Sequence, residues 1–413
     1  MFPRNIAPCL LEALKDSPVV LVNGARQTGK STLVQTLAAE GVASRYLTLD
    51  DPTLFSAAND DPSTFVSGLR GRVIIDEVQR APGLFRAIKA EVDRERTPGR
   101  FLLTGSADVL MLPRLSESLA GRMDVHTLWP LSQGEIEGRR DGFVDAVFSA
   151  DWPSTIERGI DRRELLRRVV RGGFPEPLQR AAASRRAAWF SSYLATLLSR
   201  DVRELANIEG LTMLPRLMTL LAARTSSLAN FAEMSRSMGL NQSTLKRYLS
   251  LLETLFLVQP LPAWSINLGK RLVRAPKVHL VDSGIAAHLI GAEDEERLSS
   301  SEMIGPLLEN FVVMELRKQS TWSTVRVSMH HFRTHAGEEV DVVLEDAAGR
   351  CVGIEVKSAS SASIRDTKGL RALSEALGIK FVRGIVLHTG MEHAALAPDI
   401  WALPVSALWT TKL

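Results

Sequence analysis

The string Gly24-Ala-Arg-Gln-Thr-Gly-Lys30-Ser31 lies between an apolar run, Val19 to Val22, and a helical pattern that starts at Lys30. A glycine-rich turn leading from strand into helix is a phosphate cradle, and few folds present one. Gly24 and Gly29 let the backbone curl around phosphate oxygens, while successive N–H groups and the helix N-terminus supply positive potential. Lys30 is placed to reach the β- and γ-phosphates of ATP, and the Ser31 hydroxyl to ligate Mg²⁺. Ala25, Gln27, Thr28 and Thr32 complete the expected nucleotide-binding turn.

Such a site needs acidic groups at the end of a neighbouring strand. Val73-Ile74-Ile75 runs directly into Asp76 and Glu77. Asp76 is expected to hold Mg²⁺, and Glu77 to orient and polarise the attacking water. A further apolar run ends Leu103-Thr104-Gly105-Ser106, where the Thr104 or Ser106 hydroxyl would lie beside Asp76 and sense the γ-phosphate. Arg122 has two readings: stabilising transition-state charge, in its own chain or a neighbour's, or an ordinary surface ion pair. Apolar runs at 19–22, 46–49, 73–75, 101–103 and 125–128, separated by helical patterns at 30–39 and 84–96, predict an α/β fold with a parallel sheet covered on both faces.

At 413 residues the chain is too long for one ordinary core. Its net charge of +3 demands no polyanionic partner. Arginines crowd between 158 and 203, either as a solvated helical face or as a surface for phosphate. Cys9 and Cys351 offer neither a disulfide framework nor metal-ligand spacing. No apolar run approaches the ~20 residues of a membrane span, and the N-terminus lacks a signal pattern, so a cytoplasmic protein is expected.

Residues 226–258 read as a helix, a Gly239 turn and a second helix, with Leu245, Leu249, Leu252 and Leu255 on one apolar stripe. Gln242, Ser243, Lys246 and Arg247 occupy the opposite face, as in a helix–turn–helix that enters a DNA groove. Lys270, Arg271, Arg274 and Lys277 follow where a wing would contact phosphate. Docking to a protein partner is the competing reading of such a winged helix.

Near the C-terminus, runs 339–345 and 351–357 flank the turn Asp346 to Arg350, with Gly349 suited to a left-handed position. A hairpin centred on Ala348 sets Asp341 opposite Glu355 and puts Lys357 on the face of Glu355. Two carboxylates and a lysine so placed suit metal-dependent phosphodiester hydrolysis with Mg²⁺ or Mn²⁺. His330, His331 and His335 are expected to be solvated strand-end residues.

Together the strings GARQTGKS, RVIIDEVQRAP, FLLTGSADVL and LAGRMDVHTLWPLSQGE resemble a prokaryotic family of AAA+-type P-loop ATPases. The resemblance implies a winged helix and a restriction-endonuclease-like domain after the ATPase. Asp341…Glu355-Val-Lys357 resembles the PD-(D/E)XK pattern, with Val340 in place of the proline and Val342 where an aromatic is usual. Glu309 matches the acidic residue of the preceding helix and would complete the metal shell. His279 stands where the family signature leads one to expect tyrosine, and the following Asp282-Ser283-Gly284 reads as a structural turn. The expected organisation is an ATPase at 1–135, a helical lid at 136–225, a winged helix at 226–297 and a nuclease-like domain at 298–413. The expected function is an ATPase acting on DNA, with cleavage by the last domain. A nucleotide-dependent switch, or an ATPase docked on a protein with an inert nuclease fold, is the alternative. A homo-oligomer fits the resemblance.

Overall fold

A computed structural model describes residues 2–42, 45–108, 119–152, 157–202, 211–265 and 275–411. The chain divides into two compact units, one of Arg4–Pro130 with Leu252–Leu257, the other of Met1–Pro3, Leu131–Leu251 and Val258–Leu413.

In the smaller unit, strands β1 (Val19–Asn23), β2 (Arg45–Thr48), β3 (Val73–Asp76), β4 (Phe101–Gly105) and β5 (Met123–Thr127) form a sheet of order β2-β3-β4-β1-β5. Every pairing is parallel. β1, β3 and β4 are buried at every position, which explains why each is apolar along its length rather than alternating. On one face Phe85 and Ile88 of the helix Gly83–Arg94 join Leu21, Ile75 and Leu103 in a common core. Each such buried side chain contributes roughly 1.5–3 kcal/mol of transfer free energy. Because all strands run in parallel, the loops after β1, β3 and β4 emerge on the same edge of the sheet.

The larger unit is organised around the helix Ile304–Gln319, in which eleven residues are buried. A helix buried on nearly all sides must satisfy its polar groups internally, and Asn310, Glu315 and Lys318 of this one are satisfied by neighbouring segments. Asn310 Oδ1 accepts from Leu280 N (2.7 Å) and Thr225 Oγ1 (2.7 Å). Glu315 Oε2 accepts from Gln133 N (2.9 Å), and Lys318 Nζ donates to Leu131 O (2.9 Å).

Around this helix stand two sheets. Strands β6 (Ser227–Leu228), β7 (Val258–Leu261) and β8 (Lys277–Leu280) form an antiparallel sheet of order β6-β8-β7. Between β6 and β7 come the helices Phe231–Met238 and Gln242–Thr254, separated by Gly239 in the left-handed region (φ 65°). Leu245, Leu249, Leu252 and Leu255 are all buried, as their spacing predicts.

The second sheet comprises β9 (Val327–Arg333), β10 (Glu339–Asp346), β11 (Cys351–Lys357), β12 (Phe381–His388), β13 (Ala394–Ala397) and β14 (Ile400–Pro404), in the order β13-β14-β12-β11-β10-β9. The hairpin register runs from Val342↔Ile354 to Glu345↔Cys351, centred on Ala348, with Gly349 at φ 76°. A register shift between Val340 and Val343 in the β10/β9 pairing brackets Asp341; such a bulge re-aims side chains. Among the described residues, no helix is long and apolar enough to cross a membrane.

Candidate functional site

At the carboxyl end of β1 the chain turns through Gly24, whose φ of 144° excludes most side chains. A Cβ there would fall 2.2 Å from the Leu128 carbonyl oxygen, so the close approach requires glycine. Gln27 is left-handed (φ 62°) and exposed, and Gly29 (φ 95°) precedes the helix Lys30–Ala39. Thr28 Oγ1 donates to Ala25 O (3.0 Å), closing the turn from within. The buried Lys30 ammonium donates to Gly24 O (2.9 Å) and Ala25 O (2.8 Å), curled over its own loop. Arg4, which the motif does not include, braces the turn from outside by donating to Thr28 O (2.7 Å) and Trp129 O (2.6 Å). Thr32 is exposed on the first turn of the helix.

Asp76 is the meeting point. Ser31 Oγ donates to Asp76 Oδ1 (3.1 Å), Tyr46 OH donates to Asp76 Oδ2 (2.8 Å), and Thr104 Oγ1 donates to Asp76 Oδ1. Three elements are therefore fastened to one carboxylate: the phosphate-loop helix, β2 and β4. Burial, with the hydrogen bond and charge of Asp76, pushes the Tyr46 phenol up to about 12. Thr104 also accepts from Glu77 N (3.0 Å), so its hydroxyl is turned toward the acidic pair and buried.

Glu77 is left-handed (φ 61°), an uncommon conformation for a residue with a Cβ and one that collects at functional sites. Its Oε2 accepts from Gln79 Nε2 (2.5 Å) and Ser106 Oγ (3.1 Å), and Gln79 Nε2 also donates to Ser106 Oγ (2.8 Å). Sequence reasoning placed Asp76, Glu77, Thr104 and Ser106 together but missed Tyr46, Gln79 and Arg4. A hydroxyl at the start of an apolar run and an amide two residues after the acidic pair were the signals available.

Arg122 requires a correction. It immediately precedes β5, whose Met123 pairs with Val19 at the beginning of β1, whereas the phosphate loop follows the other end of β1. Five residues of strand, roughly 16 Å, separate the two edges. Its guanidinium instead pairs with Asp93 (2.5 Å) on the helix Gly83–Arg94. This is the surface ion pair of the second reading, at the edge of the sheet away from the phosphate loop of its own chain.

The larger unit holds the second predicted constellation. Glu355 Oε1 accepts from Lys357 Nζ (2.6 Å), and Asp341 Oδ2 accepts from Val356 N (2.9 Å). Glu309 joins them through Lys277: its Nζ lies 2.8 Å from Glu309 Oε1 and 2.9 Å from Asp341 Oδ1. Lys277, expected in a solvated wing, is buried. Burial alone would depress its pKa, but Asp341 and Glu309 outweigh that effect and raise it. Burial, then the charge of Asp341, raises Glu309 well above the carboxylate range and Glu355 to about 8. His279 Nε2 lies 3.6 Å from Glu309, and burial, then the Lys277 charge, keeps this imidazole neutral. Among the described residues, no group of three or more His, Cys, Asp or Glu side chains is arranged to hold a metal ion.

The remaining expectations fare differently. Gln242, Ser243, Lys246 and Arg247 are exposed on their helix; Ser243 Oγ donates to Asn241 Oδ1 (2.8 Å), and Lys246 Nζ lies 5.5 Å from the Phe231 ring centroid. Lys270, Arg271 and Arg274 fall outside the described residues. His330 and His331 are buried rather than solvated, burial pushing His331 down to about 4, while His335 is exposed. The arginine-rich stretch is engaged internally: Arg163 with Glu295 and Glu296, Arg167 with Glu164 and Glu295, Arg168 with Glu137 and Glu164. Asp282 caps the helix Ser283–Leu289 and accepts from Gly173 N (2.6 Å), the structural turn expected.

A phosphate loop, an acidic strand end and a polar strand end meeting on one edge of a parallel sheet define a P-loop ATPase domain of the AAA type, and residues 16–137 match the family model described as an AAA domain. The chain belongs to the family of the uncharacterized protein Rv2008c of Mycobacterium tuberculosis, to which it is 32% identical over 410 residues, 99% of this chain and 85% of that one. An uncharacterized protein of Haemophilus influenzae is 23% identical over 325 residues, covering 74% and 76% of the two chains. Residues 162–296 and 304–408 match two further models, both described as domains of unknown function. Among solved structures, a Walker-type ATPase of Pyrococcus abyssi is similar at a TM-score of 0.42 and 14% identity, covering 70% of this chain and 96% of that one.

Proposed function

We propose that the N-terminal unit binds ATP with magnesium and hydrolyses it, with Lys30, Ser31, Asp76 and Glu77 in the working roles. The observation that carries this reading is the convergence of Ser31, Tyr46 and Thr104 on Asp76 beside the phosphate loop. Hard oxygen donors at Ser31 and Asp76 suit Mg²⁺, which when bound would neutralise charge developing on the phosphate oxygens. Lys30 would exchange its two loop carbonyls for phosphate oxygens, a charge-assisted bond in place of a neutral one. The backbone N–H groups of Ala25, Gln27, Thr28 and Gly29 would receive the remaining phosphate charge. Glu77 would exchange Gln79 and Ser106 for the attacking water, so those two act as positioning residues. Steady-state phosphate release by the full chain tests this directly: Lys30→Ala should abolish it, and undiminished turnover in that variant would sink the reading.

For the larger unit we infer a binding role, with the nucleotide state as its input. DNA contact through the helix Gln242–Thr254 is supported by its exposed Gln242, Ser243, Lys246 and Arg247 following a left-handed glycine turn, with β7 and β8 next in the chain as a winged helix would have them. Cleavage by Asp341, Glu355 and Lys357, with Glu309 as a further metal ligand, is disfavoured by Lys277, which lies between two of the three carboxylates. The reading is therefore a DNA-binding ATPase switch of nuclease-like ancestry. Plasmid incubated with Mg²⁺ or Mn²⁺ should stay intact; nicking lost on Asp341→Asn would instead establish an active nuclease. Arg122, paired with Asp93 at the far edge of the sheet, would reach phosphate as a residue offered to a neighbouring copy, which is where an oligomer would enter.

A further inference from the structure

The carboxylates Glu309, Asp341 and Glu355 come from a helix and two adjacent strands of one unit, and all three are largely buried. Buried carboxyl groups require a hydrogen-bond donor or a counter-charge. Here it arrives from β8, distant in sequence, as the Lys277 ammonium at 2.8 Å from Glu309 and 2.9 Å from Asp341. Two further buried groups beside it lack hydrogen-bond partners. Glu355 Oε2 is buried without a hydrogen-bond partner, and His279, fully buried, has neither ring nitrogen bonded although Nε2 lies 3.6 Å from Glu309.

We propose that Lys277 is a built-in counter-ion that takes the position a divalent metal would need, so that the carboxylates fasten β8 to the C-terminal sheet instead of activating water. Three observations bear on it. A magnesium ion bridging Glu309 and Asp341 would need their oxygens at ~2.0–2.1 Å, in the space the ammonium fills. Lys277 has no other hydrogen-bonded carboxylate among the described residues, so the pairing accounts for its burial. Lys357 cannot stand in for it, being bonded to Glu355 (2.6 Å). The inference does not depend on ATP hydrolysis, since every residue in it belongs to the larger unit.

The test is Mn²⁺ binding by the full chain without nucleotide, counted by the loss of free-ion electron paramagnetic resonance signal. Wild type and Asp341→Asn should bind equal amounts, any ion at the phosphate loop cancelling in the comparison. Lys277→Met, which keeps the length and removes the charge, should bind one more Mn²⁺ per chain, at least tenfold more tightly than wild type at this site. Adding Asp341→Asn to Lys277→Met should abolish that gain. Thermal unfolding gives a second readout: Mn²⁺ should raise the melting temperature of Lys277→Met and leave wild type unchanged relative to Asp341→Asn. A wild-type Mn²⁺ that disappears with Asp341→Asn, or no gain in a folded Lys277→Met, overturns the proposal. Should Lys277→Met fail to fold, the comparison of wild type with Asp341→Asn decides alone.

Discussion

Tyr46 illustrates how a single hydroxyl joins two parts of the ATPase site. It donates to the Asp76 oxygen that Ser31 and Thr104 leave open, so β2 and the phosphate-loop helix share one carboxylate. Tyr46→Phe removes one hydrogen bond to a charged group, worth about 1.5–3 kcal/mol. Weaker Mg²⁺ dependence of turnover is expected, with nucleotide-free stability lowered by no more than that amount; a magnesium titration of ATPase rate together with urea unfolding checks both. Lys277 teaches the converse. In the sequence it is one more basic residue of a basic loop, and nothing local distinguishes it from Lys270 or Arg271. Its burial against Glu309 and Asp341 depends on the path of β8 past the helix Ile304–Gln319, a tertiary fact.

Elements were legible where local pattern and burial coincide. β1, β3 and β4 are buried at every position, so their apolar runs announce them, and the β10/β11 hairpin register follows from its glycine turn. The addition of β12 and β14 to the same sheet was not legible, because parallel pairing leaves no turn signal between partners. Gly24→Ala tests the tightest junction: left-handed strain of ~1–3 kcal/mol adds to a backbone clash at 2.2 Å from Leu128 O. Nucleotide binding, followed by calorimetry, should be lost along with part of the stability. The helix Gln133–Glu137 carries a pH prediction. Its N-cap Ser132 donates to Asp141, whose carboxyl is pushed from 3.8 up to about 8 by burial, then by the charges of Glu315 and Glu135. Between those values the folded chain keeps a proton the unfolded chain has lost. This contribution to stability is full below the lower value and falls away as pH rises to the upper one. Urea unfolding between pH 5.5 and 8.5 should show a shallower decline for Asp141→Asn than for wild type; equal slopes would contradict the assignment.

For the molecule as a whole, charge placement limits what DNA can feel. Net charge is +3, and the arginine-rich stretch is tied into ion pairs with Glu137, Glu164, Glu295 and Glu296. The proposed DNA contact rests on Lys246, Arg247, Lys270, Arg271 and Arg274, so neutralising at most these five cations predicts a salt slope no steeper than about −4 to −5. Binding isotherms across salt concentrations check this, and Arg163→Ala should leave the slope unchanged. The central claim remains hydrolysis by the N-terminal unit, and Glu77→Gln tests it most directly because the amide keeps the shape and removes the base. Nucleotide binding and phosphate release should be measured together on the full chain with Mg²⁺. The account predicts ATP bound as tightly as by wild type and turnover reduced by ~10²–10⁴-fold. Wild-type turnover in Glu77→Gln, or no ATP binding by wild type, would contradict it.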